Sequence, residues 1–164
     1  MKKYLVSMLV LLAVTAFAGT VANSNGKIIL TVSGKIQNTQ DGQQAKFDLK
    51  QLQKLPSDTF TLQTRWDSDV HKYHGPLLSA VLKEVGIQGK QLRLRALNDY
   101  TIDVDVAYIE KYQPILAWQV DGKTMSIRNK GPLWLLLPHD KYPELNDEVH
   151  TGRMIWQLSH IEVR

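Results

Sequence analysis

The chain of 164 residues contains no cysteine. That absence excludes disulfides, thiolate metal centres, a cysteine nucleophile and the lipidated cysteine of a lipoprotein. Other chemistry is missing too. The sequence has no glycine-rich phosphate loop, no dinucleotide fingerprint and no Gly-x-Ser-x-Gly elbow. It has no internal repeats and no low-complexity segment. No basic stripe appears, so nucleic acid is not an expected partner. The longest apolar run, Leu5 to Phe17, falls short of the roughly 20 residues that span a bilayer.

What is present begins with Lys2 and Lys3, that apolar run, and Ala16-Phe17-Ala18. Together they have the form of a secretory signal peptide, residues 1–18. Cleavage is expected after Ala18, with Ala22 the second choice. Residues 19–26 read as a flexible leader. A secreted chain without disulfides must be held by its core alone. Of the 20 basic residues, Lys2 and Lys3 fall in the signal peptide, leaving 18 against 16 acidic ones. The sequence pI of 9.2 is therefore a mild excess. A mature chain of roughly 145 residues suits one domain that buries roughly two thirds of its unfolded surface.

Periodicity divides this domain into strands and a few short helices. Lys27 to Gly34 alternates apolar and polar residues and is rich in β-branched ones, which predicts a strand. Asn38 to Gly42 is turn chemistry, and Ala45 to Asp48 begins a paired strand. Asp48 is placed to N-cap a helix over Leu49 to Lys54 that Pro56 ends. Phe60 to Arg65 is the next expected strand. Leu77, Leu78, Val81, Leu82 and Val85 share one helical face, and Gly86 is a C-cap. Leu92 to Leu97 and Thr101 to Val106 read as strands around a break at Asn98-Asp99-Tyr100, with a short helix expected over Asp105 to Glu110. Ile115 to Val120 and Lys123 to Met125 predict a hairpin across Asp121-Gly122. Leu133 to Leu137 is an expected buried strand, Pro138 to Asp147 a polar loop, and Met154 to Val163 one or two closing strands.

Two groups of segments carry a family resemblance. One is Asp121 to Pro138 with Met154-Ile155-Trp156-Gln157-Leu158 and Ile161-Glu162-Val163. The other is Leu30 to Gly34 with Phe47-Asp48-Leu49 and Leu55-Pro56. Both resemble the molybdopterin-binding domain of the sulfite oxidase family, over about Ile28 to Val163. The resemblance implies an α+β fold of mixed, strand-rich sheets with few short helices, spanning residues 27–164. In that family a cysteine thiolate is a ligand of the molybdenum. The matching strand here is Thr59 to Trp66, and Thr64 stands about where the cysteine belongs. A threonine hydroxyl is a hard, weakly acidic oxygen and does not replace a soft thiolate.

A pterin needs an aromatic or guanidinium face for its flat ring and acceptors for its paired ring N–H and amino donors. Asn98-Asp99-Tyr100 offers an amide, a carboxylate and an aromatic. The matching loop of the family lines the cofactor pocket, so the resemblance implies Asp99 as partner of the pterin donors. By residue type alone the segment is a turn, with Asn98 or Asp99 folded onto its own backbone. In Arg128 to Trp134, Lys130 and Gly131 match a family segment that holds the pterin and phosphate, and Trp134 replaces its phosphate-binding arginine. An indole there suits an unphosphorylated pterin, with Lys130 or Arg128 left to meet a hydroxyl or phosphate. By composition alone, Gly131-Pro132 is a turn and Trp134 is core. Arg65-Trp66 follows Thr64 and presents a guanidinium and an indole at a pocket rim, or an arginine packed over a half-buried tryptophan. Arg153 matches a basic position near the family's phosphate.

Residues outside these groups promise less. His71 and His74 have an i, i+3 spacing without a third ligand nearby, so no metal site is expected. His139-Asp140 lacks a serine partner, and Asp103 and Asp105 alternate onto the outer face of a strand. Apart from Thr64 no nucleophile is suggested, and no base serves it.

The chain looks most like small, secreted, cysteine-free members of the family. That likeness implies a periplasmic, non-catalytic protein that binds a neopterin- or monapterin-like molecule. Its implied partner is the periplasmic domain of a membrane diguanylate cyclase or phosphodiesterase, which places it in cyclic-di-GMP signalling. The alternative is a molybdopterin-dependent oxidoreductase lacking the cysteine ligand. A third is a protein-interaction domain with a vestigial pocket.

Overall fold

The computed structural model describes residues 20–164. The signal peptide expected at residues 1–18 lies outside the described residues. In chain order the first half comprises β1 (Ile28–Gly34), β2 (Gln44–Asp48), α1 (Leu49–Leu52), β3 (Ser57–Gln63), β4 (Val70–Pro76), α2 (Leu78–Glu84) and β5 (Gln91–Ala96). The second half comprises β6 (Thr101–Asp105), α3 (Val106–Tyr112), β7 (Ile115–Ala117), β8 (Gln119–Val120), β9 (Lys123–Thr124), β10 (Trp134–Leu136), α4 (Glu148–Thr151) and β11 (Leu158–Val163). This is the α+β class that the sequence predicts.

The first and last strands lie side by side. β1 and β11 pair in parallel at the centre of a five-stranded sheet ordered β2-β1-β11-β5-β6, whose other pairings are antiparallel. Leu30, Val32, Leu92, Leu94, Ile161 and Val163 alternate onto its buried face, where Leu78, Val81, Leu82 and Val85 of α2 pack against them. A second core collects Phe60, Leu62 and Tyr73 from β3 and β4 with Ile115, Trp134 and Leu136 from β7 and β10. Those strands belong to an antiparallel sheet ordered β3-β4-β8-β9 and to the β10-β7 pair.

Local signals explain many boundaries. Asp48 caps α1 in a reciprocal box with Gln51, satisfying two helix-end donors. Gly86 takes φ +61° just beyond α2, a backbone region that a glycine enters without a Cβ clash. Asp121 and Gly122 take φ 47° and 77°, the left-handed pair that turns β8 into β9.

Several expectations change. Residues 20–26 are not a loose leader: Val21 is only 5% exposed within the main core, and the Ala22 carbonyl accepts from Gln40 and Gln51. Ile115 to Val120 is not one strand. It breaks at Trp118, sending β7 to β10 and leaving β8 beside β4. Val70 to Pro76, read from sequence as a histidine pair leading into a helix, is the strand β4. Its Gly75 lets β7 approach so closely that a Cβ there would lie 2.0 Å from the Leu116 carbonyl oxygen. The supposed polar loop after Pro138 contains a buried Leu145, followed by α4, which Asp147 caps. Among the described residues, no helix is long and apolar enough to cross a membrane.

Candidate functional site

The connection from β3 to β4 shapes the site. Thr64 directly follows β3, and its backbone carbonyl accepts the Asp67 N–H at 3.1 Å. The Asp67 carboxylate in turn accepts the Asp69 N–H at 3.1 Å. This tight double turn lays the Trp66 indole edge-on against Trp134, with ring centres 5.7 Å apart, and against Trp156 at 5.2 Å. Trp134 is 1% exposed. Its indole N–H donates to the Met154 carbonyl at 3.0 Å, and Tyr73 meets its ring at 5.5 Å.

These aromatics form one side of a cavity of about 730 Å³, a size typical of small-molecule sites. Tyr73, Trp134 and Trp156 supply its rings, and Lys123, Arg128 and Lys130 its cations. The Lys130 ammonium stands 5.0 Å from the centre of the Trp134 ring. The remaining wall is an ion triplet. His71 Nδ1 lies 2.6 Å from the Asp121 carboxylate and Nε2 lies 3.2 Å from Asp67. The Asp69 carboxylate also comes within 4.8 Å of the Asp67 carboxylate and the His71 ring nitrogen.

Each member of the triplet is tuned by its partners. The hydrogen bond that His71 donates to Asp121 raises the histidine pKa, with Asp67 adding to it and partial burial opposing it. Asp67 is held below the usual carboxylate range first by the Asp69 N–H, and His71 adds to that. Asp121 is lowered first by the Lys72 N–H and then by His71. Burial pushes the Tyr73 phenol up to about 12, helped by the charges of Asp67 and Asp121.

The residues singled out from the sequence divide among several places. Lys130 and Trp134 line the large cavity. Trp66, Asn98 and Tyr100 line a smaller one of about 340 Å³, and Trp156 is a wall of both. Gly131 lies beneath, so close to the preceding turn that a Cβ would sit 2.3 Å from the Met125 carbonyl oxygen. Arg65 donates to Thr151 at 3.3 Å and keeps its guanidinium 5.8 Å from the Trp66 ring centre.

Asp99 requires a correction. It sits at φ 65° at the tip of the β5–β6 turn, its side chain 83% exposed and paired with Arg95 at 3.3 Å. It lines neither cavity. Asn98 accepts the Tyr100 N–H at 3.2 Å, so the segment is an Asx-type turn. Arg153 is likewise diverted, its guanidinium packed 4.4 Å from the centre of the Tyr108 ring. Thr64 is 4% exposed, and its hydroxyl approaches Tyr73 without completing a hydrogen bond. It does not line the large cavity.

Sequence reasoning passed over Asp67, His71, Tyr73, Asp121 and Trp156. Asp121 is 50 positions from His71, and only the pairing of β4 with β8 brings them together. The alternation of His71 and Tyr73 along β4 was the available signal, masked by the histidine spacing.

No protein-family model matches the sequence, and no curated protein matches it. Among solved structures, the sulfane dehydrogenase SoxCD from Paracoccus pantotrophus is similar, with a TM-score of 0.62 at 16% identity. The match covers 87% of this chain and 39% of that one, so this chain spans well under half the length of that protein. The likeness is one of fold, and it agrees with the sulfite-oxidase-like arrangement predicted from the sequence. A thiolate-anchored molybdenum does not fit the residues present. The chain has no cysteine, and the residue at the corresponding position is a buried threonine outside the large cavity.

Proposed function

We propose that this protein is a non-catalytic, pterin-binding receptor of the periplasm, taking a neopterin- or monapterin-like molecule in the large cavity. The observation that carries this reading is the meeting of backbone-anchored carboxylates with an aromatic wall in one cavity of about 730 Å³. Asp67 is a fixed acceptor for ring N–H and amino donors, with Asp121 holding His71 beside it, and charged acceptors make the stronger hydrogen bonds. Trp156, 36% exposed, offers ring surface to a flat heterocycle, and the buried Trp134 and Tyr73 line the same cavity. Lys123, Arg128 and Lys130 stand where the ligand's remaining oxygens would be met. In this reading Asp67 takes the role that the family resemblance implies for Asp99.

The loaded receptor would engage the periplasmic domain of a membrane diguanylate cyclase or phosphodiesterase. Such a relay works only if the partner-competent state binds the pterin more tightly than the empty state does. The test is to purify the protein from its own cell envelope and extract it. Pterin fluorescence in the extract without molybdenum supports the receptor, and an extract with neither rejects it.

A second reading is a molybdopterin-dependent oxidoreductase that lacks the cysteine ligand. The fold likeness to a sulfane dehydrogenase favours it, and the buried threonine at the ligand position opposes it. Stoichiometric molybdenum together with substrate oxidation in the same preparation would establish it over the receptor.

A further inference from the structure

His71 occupies the acceptors that a pterin needs. Its Nε2 lies 3.2 Å from Asp67 Oδ2, while Nδ1 is held more closely, 2.6 Å from Asp121 Oδ2. The other oxygen of each carboxylate is already engaged, Asp67 Oδ1 by the Asp69 N–H and Asp121 Oδ1 by the Lys72 N–H. Asp67 Oδ2 is therefore the oxygen that the imidazolium covers. Loss of the Nε2 proton converts that contact. The shorter bond keeps Nδ1–H on Asp121, so Nε2 becomes an acceptor beside the Asp67 oxygen. Two acceptors 3.2 Å apart then face a cavity walled by indoles.

We propose that neutral His71 and Asp67 together form the recognition edge for a heterocycle with paired N–H donors, and that binding releases one proton from His71. The inference rests on the pterin reading and adds the regulation of its site: acid empties the receptor. The released Nε2 proton passes to solvent, and the ligand's two N–H groups donate to Nε2 and to Asp67.

The surroundings single out His71 as the titrating group. Asp67 and Asp69 reach it from the β3–β4 connection and Asp121 from the β8–β9 turn, while Tyr73 is its neighbour on the same face of β4, with ring centres 6.2 Å apart. Lys123, Arg128 and Lys130 share the cavity, and Lys72 is exposed on the opposite face of the strand. Carboxyl groups, phenols, lysines and arginine ordinarily ionise well away from neutrality, whereas a histidine does so at about 6.5. The two flanking carboxylates move that value upward.

The experiment is calorimetric titration of the intact protein with neopterin between about pH 6 and about pH 8, a span around the ordinary histidine value. Affinity should rise with pH, by up to about tenfold per unit, and level off above the pKa of His71. Heats in two buffers of different ionisation enthalpy should report release of up to one proton per ligand at the acid end. His71→Gln should lose this slope, and it also carries the ligand's own titration as background. Neopterin binding with a flat profile, with affinity falling as pH rises, or with the same slope in His71→Gln would overturn the inference and leave the pterin reading standing. No binding at any pH would remove the pterin reading and this inference with it.

Discussion

The indole rings of Trp66 and Trp156 stand edge to face, 5.2 Å apart with 87° between their planes. Both are 36% exposed, which is unusual for a ring as apolar as indole. Their contact lies where the two cavities adjoin, since Trp156 lines both and Trp66 lines the smaller. The pair connects the loop after β3 to the segment before β11.

Trp156→Ala should therefore act on the ligand more than on the fold. Removing a ring wall is expected to weaken pterin binding by about tenfold, the scale of one aromatic contact. Because the side chain is only partly buried, stability should fall by about 1–2 kcal/mol, less than the roughly 3–5 kcal/mol of a buried tryptophan. Ligand titration and urea unfolding on the same variant check the two figures.

Asp67 and Asp99 separate two assignments of the pterin's partner. Asp67→Asn should lower pterin affinity by about ten- to a hundredfold, because it loses a charged acceptor. Asp99→Ala removes only an exposed ion pair on a turn and should leave affinity within about twofold. Fluorescence titration of both variants decides. The opposite ranking would return the site to the β5–β6 turn.

Thr64 offers a test of the position that the family resemblance matches to a metal ligand. Its hydroxyl is buried and lacks a hydrogen-bond partner, so Thr64→Val removes an unpaired polar group while keeping the shape. Stability should hold or rise by about 1 kcal/mol, and pterin affinity should not change. A large loss of affinity would mean that this hydroxyl touches the ligand.

Stability should depend on pH at both ends of the neutral range. The folded pKa of His71 is raised, so its contribution is complete below the ordinary histidine value and disappears as pH rises through the folded one. Those of Asp67 and Asp121 are lowered, so their contributions are complete above the ordinary carboxylate range and disappear as pH falls through the folded values. Urea midpoints for the empty protein should therefore decline as pH rises above the ordinary histidine value, about 6.5, and through the folded one. His71→Gln should remove that decline and leave the acid limb.

Much of the framework was legible because its causes are local. The alternation in β1 and β5, the capping role of Asp48 and the apolar face of α2 each depend on residues a few positions apart. Trp66, Lys130 and Trp134 were singled out through the family resemblance; Lys130 and Trp134 line the large cavity and Trp66 the smaller one. Asp99 misled because a carboxylate in a turn looks the same in sequence whether it faces a ligand or solvent. Its left-handed backbone and its bond to Arg95 point it outward.

The sequence by itself determined the α+β class, the short α2 helix, the tight Asp121-Gly122 turn and the lack of any thiolate, because composition and short-range periodicity decide these. Only the tertiary structure decided that β7 leaves β8 to pair with β10, that Trp156 divides two cavities, and that His71 stands between Asp67 and Asp121. Those outcomes depend on pairings between strands far apart in the chain. A residue's neighbours across a sheet are fixed by register and packing, which no local pattern encodes.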